Sequence, residues 1–286
     1  MRTALILFAC VAIVSAPAFG QANPVAPQIV EFPSGKLHLK AYLWKPAGAG
    51  PFPAVLFNHG SGGPDANHTA AAMPITQAAE ILAPFFLKHG YAFAYPFRRG
   101  HGPSAGQGPF MQDVLQREEE AHGKEARQHL QFILLTTDQL EDVMAGLKYL
   151  KTVPGINASR IAVAGHSFGG QLTLLAAERD PTIRAAVTFG AAANSWKRSA
   201  ELRERLLTAV CNARARIMLI HAENDYSTAA GRDLAGQLER LHKTYVLKIY
   251  PAVGLTVDDG HNLLYEDIPA WEDDVFKFLD QQVKRR

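Results

Sequence analysis

The chain has 286 residues, 48% of them hydrophobic and 20% charged. This composition excludes a disordered or fibrous protein, and the length is enough for one large buried core. The net charge of +2, with its basic residues scattered, offers no footprint for nucleic acid.

Arg2 and the amino terminus precede an unbroken apolar run from Ala4 to Val14, after which come small residues and Pro17. This is the layout of a secretory signal peptide over residues 1–20, with cleavage after Ala18 or Gly20. The run is far shorter than the ~20 residues that cross a bilayer, so no integral membrane span is expected. Cys10 is a poor lipid anchor because the apolar run continues past it. Cleavage leaves Cys211 without an internal partner, and it reads as a small buried hydrophobe. The expected organisation is one domain over residues 21–286 in a secreted or periplasmic protein.

Gln21 to Pro27 reads as a leader arm. Lys36 to Trp44 alternates polar and apolar residues, as a half-buried antiparallel strand does. A Pro/Gly loop then leads to the apolar run Ala54 to Phe57, which Asn58-His59-Gly60-Ser61-Gly62-Gly63 breaks. Thr76 to Lys88 is predicted helical and Tyr91 to Tyr95 a strand. Gln139 to Lys151 is a helix, with Leu140, Val143, Met144, Leu147 and Leu150 on one stripe. Strands follow at Arg160 to Gly165, Arg184 to Phe189, Arg216 to His221 and Tyr245 to Tyr250. Helices follow at Gly169 to Arg179, Asp233 to His242 and Trp271 to Val283. This alternation predicts an α/β fold around a mostly parallel sheet flanked by helices. Gly100 to Thr136 is too long for an ordinary strand-to-helix connection and is expected to form a partly helical cap over a pocket.

Gly165-His166-Ser167-Phe168-Gly169 matches G-x-S-x-G and lies between a predicted strand and a predicted helix, the context that motif requires. A serine hydroxyl is a weak nucleophile and must be exposed beside a base. A tight strand–turn–helix corner exposes it, and the helix N-terminus favours the negative charge that develops.

With Asn58 to Gly63, Pro96-Phe97-Arg98-Arg99-Gly100-His101-Gly102, Glu223-Asn224-Asp225 and Gly260-His261, this motif makes the chain resemble the α/β-hydrolase superfamily. Within it, the chain is similar to the dienelactone-hydrolase-like and prolyl-oligopeptidase-like serine hydrolases, from about Ala54 to the C-terminus. The resemblance implies an α/β-hydrolase fold and no cofactor. Dienelactone hydrolase itself is known for a cysteine nucleophile; Ser167 stands at that place here. Relatives with an aspartate nucleophile run epoxide hydrolase and dehalogenase chemistry, which Ser167 argues against.

The chain meets the superfamily order of nucleophile, acid, then histidine. Asp225 follows an apolar strand in a polar loop and is the expected acid, with Glu223 its competitor. His261 follows Asp258-Asp259-Gly260, precedes the last helix and is the expected base. The backbone N–H of Phe168 and that of Ser61, or of Gly60, are the expected oxyanion donors.

Arg98 and Arg99 suit a substrate carboxylate on the rim, or else a structural ion pair. Trp196 could also face the pocket, and His101 could support the rim loop. His122 and His129 are seven apart, but no metal-ligand motif accompanies them, so no metal is expected. Glu118 to Glu120 reads as a solvated helix face. Phe132 to Leu135 either line an acyl pocket or anchor the cap. The reading is a serine hydrolase of the carboxylesterase type acting on a small-molecule ester. The alternatives are a prolyl-oligopeptidase-like peptidase, although the length leaves no room for a large propeller domain, and an acyltransferase. The sequence leaves the oligomeric state open.

Overall fold

Apolar runs such as Ala54 to Phe57 have no polar face, so they form strands only where both faces are covered. The computed structural model describes residues 26–62 and 73–284 and places these runs in the middle of a sheet. The signal-peptide segment, Cys10 and Gly63 lie outside the described residues.

In chain order the strands are β1 (Gln28–Ser34), β2 (Leu37–Trp44), β3 (Phe52–Asn58), β4 (Ala92–Pro96), β5 (Ile156–His166), β6 (Ala185–Phe189), β7 (Arg216–Ala222) and β8 (Tyr245–Tyr250). They lie side by side as β1-β2-β4-β3-β5-β6-β7-β8. β1 and β2 are antiparallel to each other, and β2 is antiparallel to β4. From β4 to β8 every pairing is parallel.

The longer helices are α1 (Ile75–Lys88), α2 (Met111–Thr136), α3 (Asp138–Leu150), α4 (Phe168–Arg179), α5 (Ala200–Asn212) and α6 (Ala229–Arg240). Short α7 (Val257–His261) and α8 (Leu263–Glu266) then lead to α9 (Ile268–Leu279). Side chains alternate across the sheet with period two. Ala54 and Leu56 of β3 join the core under α2 to α6, whereas Val55 and Phe57 join the core under α1, α8 and α9. Two cores therefore grip one sheet, and the parallel strand ends between them form an open edge where ligands bind in such folds.

Three features depart from the sequence reading. β1 extends the sheet immediately after the predicted leader arm. α5 occupies a stretch to which no element had been assigned, and Cys211 within it is half-buried, with Gln237 donating to its Sγ. Residues 100–136 are mostly helical, as expected, with α2 bent at Gly123 (φ 89°). Gln112 donates to the Ser61 carbonyl, but no residue of this stretch lines the cavity at Ser167. Instead α2 borders a separate cavity of about 340 Å³, lined also by α4 and α5. Phe132 and Leu135 line that cavity. Glu118, Glu119 and Glu120 make local contacts with His122, Arg127 and Gln116.

Candidate active site

At the C-terminal end of β5 the chain turns sharply into α4. Ser167 sits on that turn with φ 55° and ψ −116°, a conformation rarely adopted by a residue with a side chain. The glycines on either side permit it. A β-carbon on Gly165 would lie 2.4 Å from the Gly169 carbonyl oxygen, and one on Gly169 would lie 2.0 Å from that of Asn58. Gly169→Ala is therefore expected to lower stability by on the order of 3 kcal/mol or more, since packed backbone cannot move aside cheaply. Urea unfolding measures it. A loss under about 1 kcal/mol would mean that the turn has slack.

The ends of β7 and β8 supply the partners. The Ser167 hydroxyl donates to His261 Nε2 at 2.9 Å, and His261 Nδ1–H donates to Asp225 Oδ1 at 2.7 Å. Asp225 is buried, whereas Glu223 is exposed. The other carboxylate oxygen of Asp225 accepts from Nδ1–H of His221, also at 2.7 Å. Burial pushes the Asp225 carboxyl up, but the hydrogen bonds from His221 and His261 outweigh it and hold the group at about 2. Sequence reasoning missed this role of His221, because as one buried residue near the end of an apolar strand it carries no local signal.

The loop bearing His261 is also fixed. Thr256 and Asp259 form a reciprocal capping box at the start of α7. Asn224 bonds across to that loop, donating to the carbonyls of Val253 and Thr256 and accepting from the Val253 N–H. His166 Nε2–H donates to the His261 carbonyl at 2.9 Å. Burial and the neighbouring His261 pull the His166 imidazole down to about 3, so it stays neutral.

Ser167 and His261 open onto a cavity of about 450 Å³, lined also by Gly60, Ser61, Asn194, Tyr226, Asp258 and Glu266, among others. Gly60 and Ser61 line the cavity beside Ser167, and Phe168 is the first residue of α4, where a helix has no acceptor of its own for the N–H. Tyr226 donates to Asp258 at the mouth of the cavity.

The predicted rim residues lie elsewhere. Arg98 is fully buried beneath the loop that follows β3. Arg99 is taken up by Asp142, which accepts from its backbone N–H, Nε and Nη2, and by Asp138. Trp196 is buried, and its indole N–H donates to Asp233. None of the three lines the Ser167 cavity, because each guanidinium and the indole found partners within the protein. His101 packs against His59 in the same buried layer. His122 and His129 pair with Glu118 and Glu201. Among the described residues no three His, Cys, Asp or Glu side chains are grouped to hold a metal ion. Nor is any helix there long and apolar enough to cross a membrane.

The sequence model of the dienelactone hydrolase family matches residues 103–261, a stretch that holds Ser167, Asp225 and His261. A curated relative, the quorum-quenching protein AidA of Acinetobacter baumannii, is 28% identical over 165 residues. That alignment spans 58% of this chain and 44% of the relative, so the chain matches under half of its length. Among solved structures, an acylaminoacyl peptidase of Pyrococcus horikoshii aligns with a TM-score of 0.66 and 17% identity, over 94% of this chain and 43% of that one. The ferulic-acid-bound Est1E of Butyrivibrio proteoclasticus aligns with a TM-score of 0.62 and 17% identity, over 90% of this chain and 100% of that one. At these identities the likeness is one of fold, and the fold is that of the α/β-hydrolases. With the family match covering more than half of its residues, the chain belongs to the dienelactone hydrolase family of hydrolases.

Proposed function

We propose that the protein hydrolyses carboxylic esters through an acyl-enzyme on Ser167. The observation that carries this reading is the hydrogen-bonded series from Ser167 Oγ through His261 to Asp225. Ser167 Oγ attacks the ester carbonyl while its proton passes to His261 Nε2. Asp225 keeps the imidazole in the right tautomer and stabilises its cationic form. The carbonyl oxygen becomes an oxyanion facing the N–H groups of Phe168 and of Gly60 or Ser61. His261 then hands the proton to the departing alcohol. Water repeats the sequence and releases the acid.

The cavity also bears on substrate charge. Asp258 and Glu266 line it, with no Lys or Arg among the described lining residues. The stretch 63–72 contains neither residue type in its sequence. An ester with a free carboxylate would meet like charge there, so uncharged esters are the favoured class. The N-terminal apolar segment supports an enzyme that works after export.

The test is hydrolysis of p-nitrophenyl esters over a range of acyl lengths, against Ser167→Ala as baseline. A half-ester with a free carboxylate and an added alcohol acceptor complete the panel. The expected result is Ser167-dependent release that peaks at one chain length and is several-fold slower for the half-ester. Equal rates for wild type and Ser167→Ala at every length would refute the ester reading. Transfer to the alcohol in preference to water would make the protein an acyltransferase, and turnover confined to acyl-peptides would make it a peptidase.

A further inference from the structure

Arg98 reaches back 39 residues in sequence to the loop after β3. Its Nη1 donates to the His59 carbonyl at 2.8 Å and its Nη2 to the Gly60 carbonyl at 2.7 Å. Its Nε donates to Gln139 Oε1 at 2.8 Å, and its guanidinium lies 5.5 Å from the centre of the Phe168 ring. In a trans peptide the carbonyl and the following N–H point in opposite directions. Drawing the His59 and Gly60 carbonyls onto Arg98 therefore turns the N–H groups of Gly60 and Ser61 away from it. Gly60 and Ser61 line the cavity, and a β-carbon on Gly60 would lie 3.6 Å from Ser167 Cβ. The same guanidinium thus touches both sources of the expected oxyanion donors, the loop after β3 and the residue after the nucleophile.

We propose that Arg98 is the positioning residue of the oxyanion site, holding the Gly60–Ser61 turn in register with Phe168 and placing a buried positive charge behind it. This rests on the serine hydrolase reading above. A fork is required because two successive carbonyls must be held at once, and a lysine ammonium lacks that fixed geometry. Among the described residues no carboxylate hydrogen-bonds to Arg98, since Asp142 is committed to Arg99 and Ser34. Asp142 offsets the Arg98 charge only through space, and the remainder acts on a developing oxyanion.

The test compares Arg98→Lys and Arg98→Met with wild type, each normalised to active sites titrated with a fluorophosphonate. The readouts are kcat, KM and affinity for a trifluoromethyl ketone. That ketone accepts Ser167 Oγ at its carbonyl carbon, the hydroxyl proton passing to His261 and the new oxyanion filling the site. For Arg98→Met the expected result is a fall of on the order of 10²-fold in kcat per site, with KM within about threefold and a parallel loss of ketone affinity. Arg98→Lys should fall between the two. Should Arg98→Met not fold, Gln139→Leu removes only the Nε acceptor and is expected to lower kcat by about three- to tenfold at unchanged KM. Wild-type rates per titrated site, with only a lower melting temperature, would overturn the positioning role. So would a rise in KM at constant kcat. A wild-type protein that neither titrates nor turns over any ester would instead sink the serine hydrolase reading itself.

Discussion

Ser167→Ala and His261→Ala are each expected to cut ester turnover by on the order of 10⁴–10⁶-fold, and the double variant should be no slower than either single one. The two side chains act as a unit, so removing one already disables the other. Asp225→Asn tests a feature particular to this site. The carboxylate accepts from two imidazoles, His261 at Oδ1 and His221 at Oδ2. An asparagine offers one acceptor and one donor in their place. One histidine must then change tautomer or break away. If it is His261, the proton moves to Nε2 and the nucleophile loses its base, a loss of on the order of 10⁴-fold. His221→Gln combined with Asp225→Asn relieves that conflict and should recover part of the activity. Steady-state kinetics on the best ester of the panel decides it. An Asp225→Asn enzyme within tenfold of wild type would show that His261 does not depend on this carboxylate.

Acidification is expected to destabilise the protein before the carboxylates are protonated. Three buried histidines are held neutral in the folded state. His166 and His101 are each drawn down to about 3, by burial first and by a neighbouring His261 or Arg98 second. His59 is lowered well below its ordinary value by burial, then by Arg98 and His101. The hydrogen bonds explain why. His59 Nδ1–H donates to the Gly60 carbonyl, and its Nε2 accepts from the Arg98 N–H, so a second proton has no place to go. His101 Nδ1–H donates to the Arg99 carbonyl, while its buried Nε2 has no hydrogen-bond partner among the described residues. In the unfolded chain all three take up protons below about pH 6.5. The unfolded state then binds more protons than the folded one, and stability falls as pH drops from about 6.5 toward 3. At pH 5 His166 and His101 cost about 2 kcal/mol each, and His59 adds a loss of the same sign. For a chain of this size that lowers the melting temperature by on the order of 10–20 °C between pH 7.5 and pH 5. Asp225 adds to the loss only below about pH 4, where its unfolded form begins to protonate. Melting curves followed by circular dichroism at several pH values provide the check. A melting temperature constant within about 3 °C down to pH 5 would mean that these imidazoles are already charged or exposed in the native protein.

Some of this was legible in the residues. The turn at Ser167 is visible because a strand-like run, two glycines and a helix-like run meet there. The order Ser167, Asp225, His261 is visible because each follows an apolar strand. The first strand escaped because Pro33 interrupts its alternation and it pairs only with β2 at the sheet edge. α5 escaped because its buried stripe is narrow, with Leu202, Leu206, Ala209 and Val210 among many charged residues. The position of Arg98 was not legible, because its partners come from β3's loop and from α3, and only the folded chain brings them together. The same holds for the cap. The length of the insertion indicates a cap-like segment but not which edge of the sheet it leans on.

Asn224 has a consequence for how the site comes apart. Through it, and through the Tyr226–Asp258 contact, the loops carrying the acid and the base are bolted into one block. The tight seating of Gly169 against Asn58 and His59 makes a second block of the nucleophile and the oxyanion turn. The seam between them runs through the Ser167–His261 hydrogen bond, and His166 is the strut that spans it. Gentle heating should therefore open the machine along this seam. Reactivity of Ser167 would fade while the Asp225–His261 pair, and most of the fold, still held together.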